Sequence, residues 1–274
     1  MIKENIIKDD SDKLFFYSHY STKNPKFVDF NLHTHEDYEI YIFLNGDVRY
    51  VVEGINYNNI SPYDILLIRG HELHQLFPNP DVNYERIVIN ISDRFFEEWK
   101  CEELRKIFKK PLADRYLSGK SIISAGIDEI LERIEKYIHA TTGQNDTIVK
   151  CALIDFLYNI STLTPPSANP QKNNIVSDII TYINENISSP ITLDELTEKF
   201  FLSKYYMCRS FKNQTGFTIN QYIITKRMIL VKELYKKGMN LSNASVEAGF
   251  SGYTAFYKAY TKEFGISPKK GLER

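Results

Sequence analysis

Four of the six histidines lie close together in the chain, at His33, His35, His71 and His74. They form a pattern with one carboxylate: His33-x-His35-x3-Glu39-x6-Gly46, then Pro62-x-Asp64, then His74. The segment after the first pair, YEIYIFL at 38–44, alternates with a period of two, so Glu39, Tyr41 and Phe43 share one face of a strand. If that face lines a barrel, it makes a polar, aromatic cavity. Flat rings cover C–H faces while imidazole and hydroxyl groups fix hydroxyls, which suits a sugar. An aromatic acid or a peptide fits the same inventory. Arg49 and Arg69 are candidate cavity charges. Facing inward, they favour an anionic or hydroxyl-rich ligand.

A second concentration of chemistry lies near the C-terminus. Residues 192–214 read as a short helix, a tight turn and a second helix opened by Ser203. Residues 241–264 repeat the scheme, with a short helix over 242–248, a turn at Gly249-Phe250 and a second helix opened by Ser251. In the first unit Met207 and Phe211 lie four apart and point to the core, leaving Lys204, Tyr205, Cys208, Arg209 and Lys212 outward. In the second, Phe256 and Tyr260 are the buried pair, and Tyr253, Thr254, Tyr257, Lys258 and Lys262 face out. Both outward faces combine cations, hydroxyls and aromatics near a helix N-terminus. That composition suits a DNA major groove, with Arg and Lys for guanine edges and phosphates and Thr for base edges or the thymine methyl.

The elements that position these groups follow from the rest of the chain. Its 274 residues suggest two domains. A 43% hydrophobic, 25% charged composition is that of a soluble globular protein. No stretch of 18 apolar residues exists, and MIKENIIKDDSDK has no apolar core of the kind a secretory signal needs. Cys101, Cys151 and Cys208 are far apart without CxxC spacing, so a reducing cytoplasm is expected. Residues 1–170 carry 19 Lys+Arg against 26 Asp+Glu, a net of −7. Residues 171–274 carry 15 against 9, a net of +6, and the two make up the overall −1. A basic third on an acidic chain points to a polyanion as partner of the tail.

Residues 14–92 read as short strands split by turn signals at Asn45-Gly46, Gly54, Asn58-Asn59, Ser61-Pro62 and Pro78-Asn79-Pro80. From 93 to 160 the period becomes helical, as in Ile127, Ile130, Leu131, Ile134 and Ile138. These stripes pack on the barrel or pair with a second subunit. STLTPPSANPQKNN, with three prolines and no acid, reads as a linker. Beyond it everything reads as helix, with Thr192-Leu-Asp-Glu195 as a capping box and Ser203, Ser242 and Ser251 as further caps. The fold class is therefore α+β in two domains. Residues 1–160 form a sensing and dimerisation domain (barrel about 14–92, helices about 93–160). Residues 161–173 are the linker, and 174–274 form an all-α domain with two helix-turn-helix units.

SKYYMCRSFKNQTGFTINQYI (203–223) and VEAGFSGYTAFYKAYTKEFGISP (246–268) closely resemble the DNA-binding domain of AraC/XylS-type bacterial transcription regulators. The resemblance implies seven helices and base-facing positions at Tyr205, Cys208 and Arg209 and at Tyr253, Thr254 and Lys258. Arg227 matches an arginine typical of the linking helix. Three positions depart from the pattern: Phe201 stands where Gly is usual, and Thr197 and Ser245 where Ala is usual. A left-handed turn is unfavourable for Phe, so the first turn either differs or is strained. The histidine string resembles the cupin motif HxHx3Ex6G, with Tyr63 where the second motif usually has Gly. In metal-containing cupins the matching residues, His33, His35, Glu39 and His74, bind one divalent ion. Three imidazoles and one carboxylate serve Fe, Mn, Ni or Zn. In AraC-type regulators the same barrel senses a small molecule, often without metal, and the proteins are commonly dimers through this half.

The expectation is a sequence-specific DNA-binding regulator that is not an enzyme and has no catalytic residues and no cofactor. Its DNA-binding set is Ser203, Lys204, Tyr205, Cys208, Arg209, Lys212, Ser251, Tyr253, Thr254, Tyr257, Lys258 and Lys262. Its ligand-binding set is His33, His35, Glu39, Tyr41, Phe43, Arg49 and His74. The expected partners are duplex operator DNA, a small-molecule effector such as a sugar, a second copy of the chain, and RNA polymerase if it activates; no membrane is expected. The alternatives are a metal-dependent cupin enzyme with a DNA-binding appendage, and a scaffold that binds DNA constitutively. There is no GxxxxGK[ST] loop, no HExxH and no nucleophile–base pair to support the enzyme.

Overall fold

The computed structural model describes residues 14–26, 33–140, 146–164 and 175–272. The chain divides into two compact units, Met1–Val52 with Asn56–Lys172, and Glu53–Ile55 with Asn173–Arg274.

In the first unit the alternating segments form strands β1 (Phe15–Thr22), β2 (Tyr38–Asn45), β3 (Val48–Val52), β4 (Ile55–Tyr57), β5 (Ile65–Ile68), β6 (His74–Pro78), β7 (Tyr84–Ile91) and β8 (Tyr116–Leu117). A five-stranded sheet has the order β1-β7-β2-β5-β8, and a three-stranded sheet the order β4-β3-β6. The period of two sorts β2 between two environments. Ile40 and Ile42 join Ile87, Ile89, Ile65 and Leu67 in one large core, while Glu39, Tyr41 and Phe43 take the other face.

That core is closed by α1 (Asp93–Glu98), α2 (Gly119–Ser124), α3 (Ile127–Ala140) and α4 (Asp146–Thr162), with 3-10 turns at Glu102–Lys109 and Leu112–Asp114. The stripes of α3 and α4 are used inside the chain: Leu131, Ile134, Leu153, Phe156 and Leu157 are all at most 2% exposed against the sheet. The linker expected over 161–173 falls largely on residues outside those described. Its first two residues, Ser161 and Thr162, belong to the last turn of α4.

The second unit has seven helices among the described residues: α5 (Ile175–Glu185), α6 (Leu193–Phe200), α7 (Lys204–Thr215), α8 (Ile219–Lys236), α9 (Leu241–Glu247), α10 (Tyr253–Phe264) and α11 (Pro268–Leu272). The Thr192–Glu195 capping box forms in both directions, and Ser203 caps α7 through the Tyr206 amide. Two expected caps are wrong. Asn240, not Ser242, caps α9, because its side chain reaches the Asn243 amide. α10 starts after Gly252 with no side-chain cap, so Ser251 lies one residue outside it.

The departures from the helix-turn-helix pattern have physical solutions. Phe201 takes the left-handed conformation itself, at φ 54° and ψ 41°. Thr197 and Ser245 return their hydroxyls to the Asp194 and Ser242 carbonyls of their own helices, so buried Ser245 keeps a partner. Gly249, at φ 91°, admits no side chain: a Cβ there would lie 2.7 Å from the Ile187 carbonyl oxygen and 2.9 Å from Arg227 Nε. Arg227 explains the crowding. From α8 it donates to the Ile187 carbonyl at 3.0 Å and the Ser189 carbonyl at 2.7 Å, tying the turn after α5 to the linking helix.

Candidate functional site

On the inner face of β2, Glu39 is 5% exposed and would carry a large desolvation cost unpaired. It is surrounded by donors. His35 Nε2 lies 2.8 Å from its Oε2, and the Tyr50 hydroxyl donates to Oε1 at 3.0 Å. His74, fully buried at the start of β6, has Nε2 3.7 Å from Oε2 of Glu39 and 3.0 Å from His33 Nε2. The pairing explains the convergence. Val52 of β3 opposes His74 and Tyr50 opposes Leu76, so His74 and Tyr50 share a face turned toward Glu39. His33 reaches the same place through a bridge to His74, with backbone hydrogen bonds in both directions. One ligand atom from each of His33, His35, Glu39 and His74 falls within 4.8 Å of the other three.

Two of the rings are fixed from behind. His35 Nδ1 meets the Asp37 carbonyl at 2.8 Å and His74 Nδ1 the Glu72 carbonyl at 2.9 Å. A carbonyl only accepts, so Nδ1 carries hydrogen and Nε2 faces the centre. Burial pushes His74 down to about 4, leaving it neutral near pH 7. Burial opposes the charge on Glu39, but the surrounding imidazoles and the His35 hydrogen bond outweigh it and hold its carboxyl at about 2. His35 is also desolvated, yet its contact with Glu39 wins and raises it.

The segment that delivers His74 has its own anchor. Arg115 makes a two-pronged ion pair with Glu72, at 2.6 and 2.7 Å, and both side chains are at most 5% exposed. Sequence reading missed Arg115, Glu72 and Tyr50. A signal for Tyr50 lies in the alternation of β3, which turns only one of Arg49 and Tyr50 inward.

Tyr41 and Phe43 lie on the Glu39 face as expected, at 1% and 2% exposure. Tyr41 stacks on Tyr50 and accepts a hydrogen bond from the Tyr84 hydroxyl at 2.9 Å; Phe43 stacks on Tyr84. Arg49 does not join them. It sits on the opposite face of β3 from Tyr50, over the Phe77 ring at 3.9 Å, and donates to Asn56 at 3.0 Å. Arg69, itself exposed, reaches the buried Glu72 carboxylate at 3.4 Å, and His71 is held by the His35 carbonyl through its backbone amide.

In the helical unit Met207, Phe211, Phe256 and Tyr260 are buried as expected. Ser203, Lys204, Tyr205, Arg209 and Lys212 are exposed on the first outward face. Ser251, Tyr253, Thr254, Tyr257, Lys258 and Lys262 are exposed on the second. Cys208 is half-buried. Arg209 lies 5.9 Å from the centre of the Tyr205 ring and donates to its hydroxyl at 3.2 Å, so the two form one surface. Among the described residues no helix is long and apolar enough to cross a membrane.

Comparison with known proteins bears on both units. The AraC-like ligand binding domain family matches residues 21–145, and a helix-turn-helix domain family matches residues 196–274. The chain is 24% identical over 215 residues to the HTH-type transcriptional regulator YbfI of Bacillus subtilis (strain 168), covering 78% of this chain and 77% of that one. It is 23% identical over 243 residues to the HTH-type transcriptional activator RhaS of Mannheimia succiniciproducens, covering 87% of each. Among solved structures, ToxT from Vibrio cholerae aligns over 95% of this chain and 98% of its own, at 14% identity and a TM-score of 0.37.

Proposed function

We propose that this chain works as a transcription regulator of the AraC/XylS type, since residues 21–145 match the AraC-like ligand binding domain family, residues 196–274 match a helix-turn-helix domain family, and a relative aligned over 87% of the chain is an HTH-type transcriptional activator. α7 and α10 enter successive major grooves on one face of the duplex. The β-domain senses a small molecule, a carbohydrate or related metabolite, and the protein acts as a homodimer. The observation that carries the reading is the pair of matched outward faces, Tyr205–Arg209–Lys212 on α7 and Thr254–Lys258–Lys262 on α10. Both faces are exposed and lie on helices of one unit joined by α8. Grooves one turn apart are separated by about 34 Å, so a single chain reads an asymmetric site. Support for a carbohydrate is the polar, aromatic inner face of β2, where His35 and Glu39 adjoin the Tyr41 and Tyr50 rings. An effector acts here only through a difference in its affinity for two arrangements of the protein.

The test is fluorescence anisotropy of the full-length protein on the tightest duplex recovered by selection from random sequence, at one stated salt concentration. Arg209→Ala is expected to weaken binding by about 1–3 kcal/mol and to relax preference at one position of the site. Equal binding by wild type and variant removes Arg209 from the base-reading set. A thermal-shift series with sugars, sugar phosphates and aromatic acids tests the effector class, since a ligand of the native state must raise its stability.

A further inference from the structure

We propose that the cleft between the sheet and α3 binds a small organic cation, an aliphatic diamine or polyamine, through Glu85, Asp128, Glu132 and Glu135. The site goes beyond the sensor reading: it uses the core side of β2, at Leu44, and shares no residue with the cluster around Glu39. Asp128, Leu131, Glu132 and Glu135 stand three or four apart on α3 and form one stripe of the helix. Like charges at that spacing repel, and the stripe carries three of them. Glu85 of β7 lines the same cleft and adds a fourth. One imidazole answers them: His19 Nδ1 is 2.6 Å from Glu135 and its Nε2 is 2.8 Å from Glu85. Among the described residues no hydrogen bond or ion pair reaches the carboxylates of Asp128 and Glu132. Even with His19 charged, the cleft keeps an excess of negative charge. Burial, and then the charges of Glu132, Asp128, Glu135 and Glu85, raise the Tyr63 phenol, so all four acids act on one ring of the lining.

A buried hydroxyl points to the same occupant. Tyr17 lies two residues before His19 on β1 and shares its face. Its side chain is 1% exposed, and its hydroxyl has no hydrogen-bond partner among the described residues. Burial raises the Tyr17 phenol and the charge of Glu135 raises it further, so the hydroxyl is turned toward the Glu135 end of the cleft. A buried polar group left without a partner is costly. An ammonium seated on Glu135 donates to that oxygen and removes the cost. The spread of the acids selects an organic cation over a metal ion. Among the described residues only the cluster around Glu39 brings three or more possible metal ligands close enough to hold one ion. Asp128 and Glu135 are seven residues apart, about 10 Å along the helix. Two or more ammonium groups on a methylene chain match that spread, one beside His19 at Glu85 and Glu135 and another at Asp128 and Glu132. Leu44, Ile87, Leu131 and the Tyr63 ring line the same space and cover the methylenes. A volume of about 310 Å³ limits the ligand to a small one.

The experiment uses full-length protein without DNA, so its failure leaves the regulator reading untouched. Isothermal titration calorimetry and thermal melts are run with 1,4-diaminobutane, 1,5-diaminopentane and spermidine at one fixed ionic strength, because salt screens loose attraction between charges. Butane-1,4-diol and magnesium chloride are the controls. The expected result is saturable binding of one amine per chain, a melting transition that rises with amine concentration, and no binding of the diol. Asp128 is half-buried and Glu132 exposed, so an Asp128→Asn/Glu132→Gln double variant keeps the fold. It is expected to weaken amine binding by about tenfold or more with unchanged far-ultraviolet circular dichroism. Glu129→Gln removes an exposed acid of α3 outside the cleft and is expected to leave binding as it was. Tyr17→Phe keeps the buried ring and is expected to weaken binding about threefold or more. The absence of saturable binding by any of the three amines overturns the proposal, as does equal binding by the double variant. Displacement of the amine by magnesium at the same ionic strength also overturns it, because that marks a diffuse counter-ion effect. Binding of the diol overturns recognition by charge, and unchanged affinity in Tyr17→Phe overturns the part given to its hydroxyl.

Discussion

Phe201 holds a left-handed backbone with its ring 94% exposed. That conformation costs an L-residue about 1–2 kcal/mol, and a solvated ring recovers nothing by packing. Glycine removes the cost but is about 0.5–1 kcal/mol more disordered in the unfolded chain. Phe201→Gly is therefore expected to stabilise the helical domain by about 0.5–1 kcal/mol, read as an upward shift of its transition in thermal melts of the full-length protein. A lower transition temperature would show that the ring has a role in the fold. Tyr63 is in the same conformation at φ 67°, but it packs against the sheet–helix core, so its replacement loses contacts as well as strain. Both positions were visible in the sequence as residues standing where the family patterns usually have glycine. What the sequence left open was whether the chain turns differently there or turns the same way under strain. Only the backbone answers that, because local propensity and the demand of the two flanking helices pull in opposite directions. Arg49 shows the complementary limit. Its type suits a polar cavity, but which of Arg49 and Tyr50 faces inward depends on how β3 registers against β6, a pairing set by residues far away in the chain.

The elements themselves follow from period. Alternation gave the strands, and the 3–4 spacing gave α3, α4 and the helices of the second unit, because each buries one face on a continuous core. The contacts that lock one element to another were less legible. His19 on β1 is the clearest case: its Nδ1 lies 2.6 Å from Glu135 of α3 and its Nε2 lies 2.8 Å from Glu85 of β7. The three residues are 116 and 66 positions apart, beyond the reach of any local pattern. They line a cleft of about 310 Å³ that also contains Tyr63 and two further acids of α3, Asp128 and Glu132. His139, also on α3, stands 3.9 Å from Glu135. The hydrogen bond to Glu135 is the main cause that raises His19 above its ordinary value, and the bond to Glu85 adds to it against the opposing effect of burial. A histidine raised in the folded state contributes stability that is complete below its unfolded value, about 6.5, and is lost as pH rises through the folded value. His19→Gln is thus expected to cost about 1 kcal/mol at pH 6, a figure reduced by partial solvent exposure. The cost should shrink as pH rises above 6.5. Urea melts of wild type and variant across pH 6–9 measure the difference; a constant gap would mean that His19 acts by packing alone.

At the scale of the whole molecule, charge and geometry make separate demands on DNA. The net of +6 over residues 171–274, against −7 before them, confines attraction for phosphate to the helical part of the chain. That attraction is indifferent to sequence and weakens as salt rises, because it comes from release of condensed counterions. On the proposed reading, discrimination comes from the outward faces of α7 and α10 acting together. Two helices on one unit can both be seated only if their target grooves present on the same side of the duplex. Inserting about 5 base pairs between the two half-sites turns one groove by half a turn, to the far side. Binding at low salt then falls toward the level of random DNA, because one recognition helix loses its base contacts, each good pair of which is worth about 1–3 kcal/mol. Inserting a full turn restores the facing but adds about 34 Å of separation, which one unit cannot span, so affinity stays low. A dimer that used one helix per chain behaves differently. It tolerates the full turn when its two subunits can move apart, and it prefers a palindrome. Affinity measured on the two spaced duplexes and on the parent site therefore distinguishes one chain reading two grooves from two chains reading one groove each. Recovery of tight binding on the full-turn duplex would assign the second groove to the partner subunit.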